Sequence, residues 1–404
     1  MLMKPKHFLS LFILFILLLL TGCWDRTELQ DLDIVAAIGI DKGEDDVDNR
    51  YRVTVQVINE GEVGGGAGQT PGRSAPVAIF SNTGSTVSEA LRKISPKTAN
   101  ELYFPHIQVM VIGEELAEEG VKDLFDFIDR DPQFRMLFPI LIARENTAEN
   151  VLKVSTPLES IPAAKIIGAL EFTRRIWGEY ASTRADQVID SINKHAAAII
   201  GIRINGDPEK GNELFNIRKI DPDTTLEITG IAVLKDGKLE TWLDEDAARG
   251  VTWIKNEFTR SILNLDCKDI KNGIAVEMVR SKTKLKAEFK EGKPIIHIDT
   301  REEGHISEVH CGIDLDKPET INKLEKELEK ETKEEIMMAV KAAQEEKSDI
   351  FRFGEVVNRA DPKEWDKIEK KWEEEIFPEL EVKVDVRAFI RRTGMRTKSY
   401  LSSE

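Results

Sequence analysis

The sequence predicts a multi-domain α+β protein in which mixed β-sheets pack with helices. Three observations predict this fold class. The chain has 404 residues, of which 41% are hydrophobic and 32% charged, so it is long enough and apolar enough for two or three domains. Short apolar or alternating runs typical of strands recur in both halves. Segments with helical spacing separate them, and the longest is a Glu- and Lys-rich stretch in the second half.

The chain begins with the pattern of a secretory signal peptide. Lys4 and Lys6 precede an apolar stretch from Phe8 to Leu20 that only Ser10 interrupts. About 13 apolar residues are too few for a helix to cross a bilayer core of ~30 Å, which takes ~20 residues. We therefore expect residues 1–22 to be a signal peptide. An uncleaved N-terminal anchor is the alternative, because signal peptides and short anchors share a composition.

A bacterial lipobox closes this apolar stretch. Leu20, Thr21, Gly22 and Cys23 supply a large apolar residue, two small residues and a cysteine. Small residues let the chain lie extended in a peptidase cleft, and a thiolate can displace a lipid headgroup to form a thioether. We expect cleavage before Cys23, which then carries an S-diacylglycerol group and an N-palmitoyl group. Such an anchor is durable and holds the mature chain on the outer face of the cell membrane.

The charge of the chain argues against several partners. The formal net charge is −16, and it becomes −18 when Lys4 and Lys6 leave with the signal peptide. Phosphate backbones and anionic lipid headgroups repel an acidic body. We therefore expect no nucleic-acid partner, and the charge disfavours a polybasic membrane patch.

The three cysteines stand far apart, so they form neither a disulfide framework nor a Cys-x-x-Cys metal site. With Cys23 lipidated, Cys267 and Cys311 are left as a pair that could form a disulfide outside the cell. Both lie in apolar, strand-like surroundings. We expect them to be buried free thiols, with the disulfide as the alternative.

The first half has the pattern of a mixed domain, which we place at residues 23–205. Strands are predicted from apolar runs or period-two alternation, and helices from apolar residues at helical spacing. The predicted strands are Ile34–Ile40, Tyr51–Val57, Ile107–Ile112 and Leu137–Ile142, and the predicted helices are Ser85–Ile94, Ala148–Val154 (with Asn146 and Thr147 as caps) and Ala185–Ile200.

A second α+β region is predicted for residues 220–404. It opens with a hairpin whose turn is Asp236-Gly237, a pair suited to a type I′ turn. Several short strands follow, then a long amphipathic helix at Lys317–Lys347 and a short helix capped by Asp361-Pro362. Alternation from Val382 to Ile390 predicts a closing strand. An alternative division splits the region into a small β-rich module, 220–262, and a sheet with the long helix, 263–396.

No residue pattern indicates a catalytic or metal site, and we predict neither an enzyme nor a cofactor. His305 and His310 are metal ligands by type, but an odd spacing places them on opposite faces of a strand. Two Ser-x-x-Lys matches, Ser191 with Lys194 and Ser281 with Lys284, lack the companion motifs of a nucleophilic site.

Four segments resemble one known family. CWDRTELQDLDIVAAIGID (Cys23–Asp41) is similar to the start of the Ger(x)C lipoproteins, the C subunits of nutrient germinant receptors. HIQVMVIGEELAEEGVKDLFDFIDRDPQFR (His106–Arg135) is similar to a signature of that family, and the segments Thr225–Glu257 and Phe353–Gly394 are similar to its second half. The resemblance covers essentially the whole mature chain. A Gly-rich insertion at Gly61–Pro76 departs from the family pattern.

The resemblance implies a non-enzymatic membrane-complex subunit needed for nutrient-triggered spore germination. Its partners would be a multi-spanning A subunit and a permease-like B subunit in the inner spore membrane. His106 and Arg135 lie inside the family-like segment, and they are candidates for either a structural role or a partner surface.

Two other classes compete with this interpretation. A solute-binding lipoprotein of a transporter would have two similar α/β lobes around a deep polar cleft, whereas the second half here passes through several strands before its helices. An extracellular hydrolase would need a nucleophile, a base and an oxyanion site, and no coherent set is visible.

Overall fold

The computed structural model describes residues 31–44, 46–63, 74–179 and 183–392, together with Glu28. The predicted signal peptide and lipobox lie outside these ranges, as does residue stretch 64–73 of the Gly-rich insertion. The described residues form two mixed sheets, of nine and four strands, and twelve helices. This architecture confirms the predicted α+β class.

The larger sheet has the strand order β3-β2-β1-β5-β6-β7-β8-β9, with the short β4 paired to the start of β1. Strands β1, β5, β6 and β7 run parallel at its centre, and antiparallel strands flank them on both sides. The bounds are β1 Leu32–Lys42, β2 Tyr51–Ile58, β3 Val77–Gly84, β4 Glu101–Tyr103, β5 Val109–Gly113, β6 Ile140–Ala143, β7 Ala196–Asn205, β8 Thr225–Lys235 and β9 Lys238–Leu243.

The central strands of this sheet are apolar on both faces because helices cover both faces. Ile38, Met110 and Ile140 point into one core, and Ala37, Val111 and Leu141 point into the other. The continuous apolar runs seen in the sequence follow from this double burial. The helices of the first 218 residues are α1 Glu60–Val63, α2 Val87–Ile94, α3 Glu114–Glu119, α4 Lys122–Arg130, α5 Ala148–Lys153, α6 Pro162–Ile176, α7 Ala185–Asn193 and α8 Pro208–Gly211.

The smaller sheet has the order β10-β11-β12-β13, and β13 runs parallel to β12. A helical crossover joins these two strands, as parallel pairing requires. The strands are β10 Ser261–Cys267, β11 Ile270–Lys290, β12 Lys293–Val309 and β13 Glu381–Arg392, and the helices of this half are α9 Glu245–Ile254, α10 Pro318–Glu345, α11 Phe353–Ala360 and α12 Pro362–Ile368.

One continuous core joins the two sheets. Ala198 and Val233 of the larger sheet share it with Ile298 of β12 and Leu328 of α10. Trp253 on α9 is fully buried there and stacks on Phe258, with ring centroids 3.6 Å apart. Helix α10 is the long amphipathic helix predicted from the sequence, and its narrow apolar stripe lies on this core. No helix in the described part of the chain is both long and apolar enough to span a membrane.

Two secondary-structure predictions were wrong. The predicted helix Ala185–Ile200 ends at Asn193, and strand β7 begins at Ala196. His195 has a φ of 74°, which ends the helix, and the three alanines that follow are buried and pair with β8. The several short strands predicted after the hairpin are, from Ile270 to Val309, instead two long strands, β11 and β12, that bulges interrupt.

The prediction of free thiols was also wrong, because Cys267 and Cys311 form a disulfide. Both are buried, as expected. Pairing of Ile274 with Val309 brings the end of β10 beside the segment after β12, and this leaves the two Cα atoms 6.3 Å apart. Sequence separation alone hides such proximity, since it arises from strand register.

The larger sheet continues past the predicted limit at residue 205. Strands β8 and β9 pair with β7 and with each other, so the hairpin at Asp236-Gly237 extends the first sheet. Asp236 and Gly237 have φ values of 49° and 82°, which is the conformation expected for the predicted type I′ turn. The division into domains stays a prediction.

Candidate functional site

The predicted site residues fall into two groups. Leu20, Thr21, Gly22 and Cys23, the predicted cleavage and lipidation site, lie outside the described residues. His106 and Arg135 are described. His106 precedes β5 and Arg135 precedes β6, so both occupy loops at the edge where these parallel strands begin.

An aromatic cluster brings these two loops together. Phe104 stacks on Phe134 with ring centroids 5.3 Å apart, and Phe134 also meets the edges of Phe127 and Phe138. The His106 ring lies 5.5 Å from that of Tyr103. His106 and Arg135 themselves are exposed, and no ion pair among the described residues joins Arg135 to a carboxylate. The structural part of this loop pair is therefore its phenylalanines.

A charged cluster links the two halves of the molecule at their junction. We call it the junction cluster, and it consists of Asp190 and Lys194 from α7, and Asp349, Arg352 and Glu355 around the start of α11. Arg352 donates to Asp190 at 2.5 Å, and Lys194 contacts Glu355 at 2.7 Å. Although burial alone raises the pKa of Asp190, hydrogen bonds from Lys194 and Arg352 hold it below its usual value.

Asp349 is the buried member of the junction cluster. Its carboxylate accepts hydrogen bonds from the backbone N–H groups of Phe353 and Gly354, at 2.9 and 2.8 Å, and from the indole of Trp372 at 2.9 Å. Burial raises its pKa despite these donors. Arg352 has a φ of 61°, an uncommon backbone conformation for a residue other than glycine. The contacts of Asp349 thus fix the turn that presents Arg352 to Asp190.

A cavity of about 660 Å³ opens beside this cluster, and Trp365, His195 and Glu373 contribute to its lining. Glu373 accepts a hydrogen bond from the backbone N–H of Asp349 at 3.0 Å. Burial, together with repulsion from Asp349, raises the pKa of Glu373 to about 8. The cavity is therefore lined by aromatic rings and by carboxyl groups, one of which stays protonated near neutral pH.

A second buried charge cluster holds α9 against α10. Arg249 donates to Glu335 at 2.6 and 3.0 Å and to Glu179 at 3.2 Å, and the indole of Trp253 donates to the other oxygen of Glu335 at 2.8 Å. Burial raises the pKa of Glu179 to about 7, and Arg249 opposes that rise. The guanidinium of Arg249, both oxygens of Glu335 and the indole of Trp253 all have partners within the fold, which is the arrangement of a structural element.

Glu302 on β12 points into the same interior. Its carboxyl group is fully buried, and the Thr332 hydroxyl on α10 lies 3.0 Å from it. Burial raises the pKa of Glu302 to about 8. Sequence reasoning missed this residue, and it also missed Arg249, Glu335 and Asp349. The one available signal was position, because Glu335 lies seven residues after Leu328 and so falls on the apolar stripe of α10.

These clusters hold elements together rather than present reactive groups. The acids of the junction cluster are paired with cations or with N–H donors. Glu179, Glu302 and Glu335 are buried. Within the described residues, His, Cys, Asp and Glu side chains form no group of three or more that could hold a metal ion. The arrangement can position the two halves and offer a charged, aromatic-lined cleft to a partner.

Two family models match the chain. The "Spore germination protein N-terminal domain" matches residues 25–203, and "Spore germination B3/GerAC like, C-terminal" matches residues 229–394. The chain is also similar to Spore germination protein KC of Bacillus subtilis, with 36% identity over 98% of this chain and 97% of that protein.

More distant relatives agree in length and fold. The putative spore germination protein YfkR of Bacillus subtilis is 26% identical over 98% of this chain and 99% of its own. The crystal structure of the GerBC protein matches with a TM-score of 0.55 and 20% identity, over 88% of this chain and 96% of that one. That likeness shows a shared fold. The chain therefore belongs to the Ger(x)C family of spore germination proteins, the GerAC-like group that the four sequence segments resembled.

Proposed function

We propose that this chain is a lipid-tethered, non-catalytic subunit of a nutrient germinant receptor, needed for nutrient-triggered spore germination. The observation that carries the proposal is the match to Spore germination protein KC over 98% of the chain, which includes both family modules. The buried and mutually paired charges of the interior support a structural rather than catalytic use of its acids.

The tether in this proposal is the acyl groups on Cys23. The lipobox Leu20-Thr21-Gly22-Cys23 supports it, together with the short apolar stretch in front of it. Two chains on sulfur and one on nitrogen bind a bilayer far more durably than a single chain does. The body then lies on the outer face of the cell membrane, which becomes the inner membrane of the dormant spore.

The partners in this proposal are a multi-spanning A subunit and a permease-like B subunit. The chain acts on them through protein contacts. The cavity beside the junction cluster, which we call the junction cleft, has Arg352 and Trp365 in its lining. It is a candidate contact surface, and so is the loop pair that carries His106 and Arg135. No nucleic acid is involved.

Substitution of the lipidated cysteine tests the proposal. Cys23→Ala should leave the protein unprocessed or released from the membrane, and it should blunt the germination response while the body stays folded. Detergent phase partitioning and nutrient-triggered germination of spores are the two measurements. Thr21→Ser is the matched control, because a small residue remains at that position of the lipobox and lipidation should continue. Equal partitioning and equal germination of wild type and Cys23→Ala would contradict the proposal.

The competing class, a solute-binding lipoprotein, receives less support. It requires two similar lobes, whereas the two sheets here differ in strand number and topology. Isothermal titration with amino acids and sugars, at the concentrations that trigger germination, would separate the classes. Tight binding by this chain without its partners would favour the solute binder.

A further inference from the structure

One face of the smaller sheet is covered by none of the helices in the described part of the chain. Alternate residues of β12, such as Ile296 and Ile298, point to the core, so the residues between them point outward. Register places Arg280, Lys282, Lys284, Lys286 and Lys290 of β11 on this outer face, and all five are exposed. Strand β10 pairs with β11 only as far as Met278, so this half of the sheet consists of three strands.

The neighbouring strands add further cations to the same face. Strand β12 adds Lys293 and Arg301, and β13 adds Lys383, Arg387 and Arg391. We call these ten residues and the area between them the basic face. The acids of this area are Glu288, Asp299, Glu303, Glu381 and Asp385. Ten cations against five acids give the basic face a net charge of +5, although the chain as a whole carries −16.

Acids pair with some of these cations, as Glu303 does with Arg391, but one row across the three strands consists of cations alone. Lys282 lies directly opposite Arg301, which lies directly opposite Arg387. Like charges in directly opposed positions destabilise a sheet. Among the described residues, neither Lys282 nor Arg387 forms an ion pair. Arg301 contacts Glu303 and Phe389, but these contacts do not account for the two cations on either side of it, so the row requires another explanation.

Protection of the sheet edge explains only part of it. The outer half of β11 is an open edge, and lysines on an edge strand prevent it from pairing with another chain. Arg301, however, lies on the central strand of the three, where no edge needs protection. Arg301 and Arg391 also flank the ring of Phe389, with their guanidinium carbons 4.7 and 4.8 Å from its centroid. Arginine and aromatic side chains are enriched on the surfaces through which proteins bind partners.

We propose that the basic face docks on anionic phospholipid headgroups of the bilayer to which the chain is tethered. This inference rests on the proposed lipid anchor at Cys23, which keeps the face close to such headgroups. At ~3.4 Å per residue and ~4.8 Å between strands, the face is roughly 35 Å long and 10 Å wide, an extended surface that suits a planar array of small anions. The net charge of the chain led us to expect no polybasic membrane patch. The basic face changes that expectation, because it gathers ten cations in one part of an acidic chain.

The strength of docking follows from the number of cations. A Lys or Arg near an anionic bilayer contributes about 1 kcal/mol, which is about fivefold in the docking equilibrium. Reversal of Lys282 and Arg387 together removes four charges' worth of attraction. We expect it to lower the docking equilibrium by at least about a hundredfold. Salt at about 1 M shortens the screening length to about 3 Å and should abolish docking as well.

The test uses the full lipidated chain in vesicles with a dye on the basic face. Asp385→Cys supplies an exposed thiol on this face, and Met338→Cys on α10 supplies one behind the sheet. Each is labelled with nitrobenzoxadiazole, and the vesicles contain a headgroup-attached quencher. We expect quenching at position 385 in vesicles with phosphatidylglycerol, little quenching in pure phosphatidylcholine, and little quenching at position 338 in either.

Charge variants complete the test. Lys282→Glu with Arg387→Glu should abolish the quenching at position 385. Lys323→Glu with Lys326→Glu, exposed residues of α10, changes the total charge by the same amount and should leave it intact. Thermal unfolding of each variant shows whether it is folded.

Several results would overturn the inference. Quenching that is equal in both kinds of vesicle, or that survives the reversal, would do so. So would a dye at position 385 that only the purified multi-spanning partners protect, which would assign the face to an acidic protein segment. Failure of the tether itself is seen separately, as loss of flotation with phosphatidylcholine vesicles.

Discussion

At the scale of single residues, the interior contains carboxyl groups whose pKa is raised by burial. Burial raises the pKa to about 6 in Asp41, about 7 in Glu179, and about 8 in Glu302 and Glu373. A carboxyl with a raised pKa binds its proton more tightly in the folded chain than in the unfolded one. The free energy of unfolding therefore falls as the pH rises from the unfolded pKa, near 4 to 4.5, to these folded values.

Glu302→Gln should remove a large part of this pH dependence. Glutamine keeps an acceptor for the Thr332 hydroxyl but has no proton to lose. Between pH 5 and pH 8, we expect the free energy of unfolding of the variant to rise relative to that of the wild type by on the order of 3 kcal/mol, at about 1.4 kcal/mol per pKa unit. Urea unfolding of both proteins at the two pH values measures this. Glu303→Gln, at the next position and on the outward face, is the control. It should not change how the free energy of unfolding depends on pH between the two pH values. Parallel pH profiles for Glu302→Gln and wild type would contradict the assignment.

Arg249→Met should be among the most destabilising substitutions in the chain. It leaves Glu335 and Glu179 buried without their cation, a loss that costs about 3–5 kcal/mol in buried pairs. Adding Glu335→Gln should recover part of the loss, because the unpaired charge is removed. A double-mutant cycle by urea unfolding gives the coupling between the two residues. Lys371→Met breaks an exposed pair with Glu375 and should cost less than about 1 kcal/mol. Strictly additive effects of Arg249→Met and Glu335→Gln would show that the two side chains are not coupled.

At the scale of elements, the disulfide fastens the open end of the smaller sheet. Cys267 ends β10 and Cys311 follows β12, with 44 residues of sequence separation. Closing a loop of that length in the unfolded chain corresponds to about 4 kcal/mol in the chain-entropy model. We expect Cys267→Ala with Cys311→Ala to lower the free energy of unfolding by about 2–4 kcal/mol.

Urea unfolding with and without reductant measures this effect. Reductant should bring the wild type close to the double variant and leave the variant itself unchanged. Titration of the unfolded, unreduced protein with a thiol reagent is the independent check. Two free thiols in that titration, besides any at Cys23, would contradict the bond.

Elements with strong local signals could be predicted from the sequence. Asp361 caps α12 as expected and accepts hydrogen bonds from the N–H groups of Lys363 and Glu364, at 3.0 and 3.2 Å. Thr147 likewise caps α5. The start of strand β7 could not be predicted, because Ala196–Ala198 favour helix locally and pairing within the sheet overrides that preference. These alanines pair with Val233–Lys235 of β8, more than 30 residues away along the chain.

Among the candidate functional residues, too, those with a local sequence signal could be predicted and those brought together by the fold could not. The lipobox is a local motif and is visible in the sequence, whereas the junction cluster joins Asp190 to Arg352 across 162 positions. The basic face was hidden for a different reason. Its lysines on β11 lie close together in sequence, at alternate positions from Lys282 to Lys286 and again at Lys290, but Arg301 and Arg387 join them only through strand register. A net charge averages over such a face and conceals it.

At the scale of the whole molecule, two unlike sheets share one core, and one of them has a basic outer face although the chain is acidic. The body is acidic, and the basic face gathers its positive charge on the outer side of the smaller sheet. A tether near the first strand and a basic face in the second half would hold the molecule to a bilayer at two points. The junction cleft and the His106–Arg135 loops would then be available to membrane-embedded partners.

If this chain works as a subunit of a membrane receptor, as we propose, it must associate physically with multi-spanning partners. The measurement is affinity purification of the tagged full-length chain from detergent-solubilised inner membranes of dormant spores, with the composition read by mass spectrometry. We expect a multi-spanning A-type subunit and a permease-like B-type subunit to co-purify with the chain in comparable amounts. Recovery of the chain alone, under conditions in which those two proteins are solubilised intact and associate with each other, would contradict it.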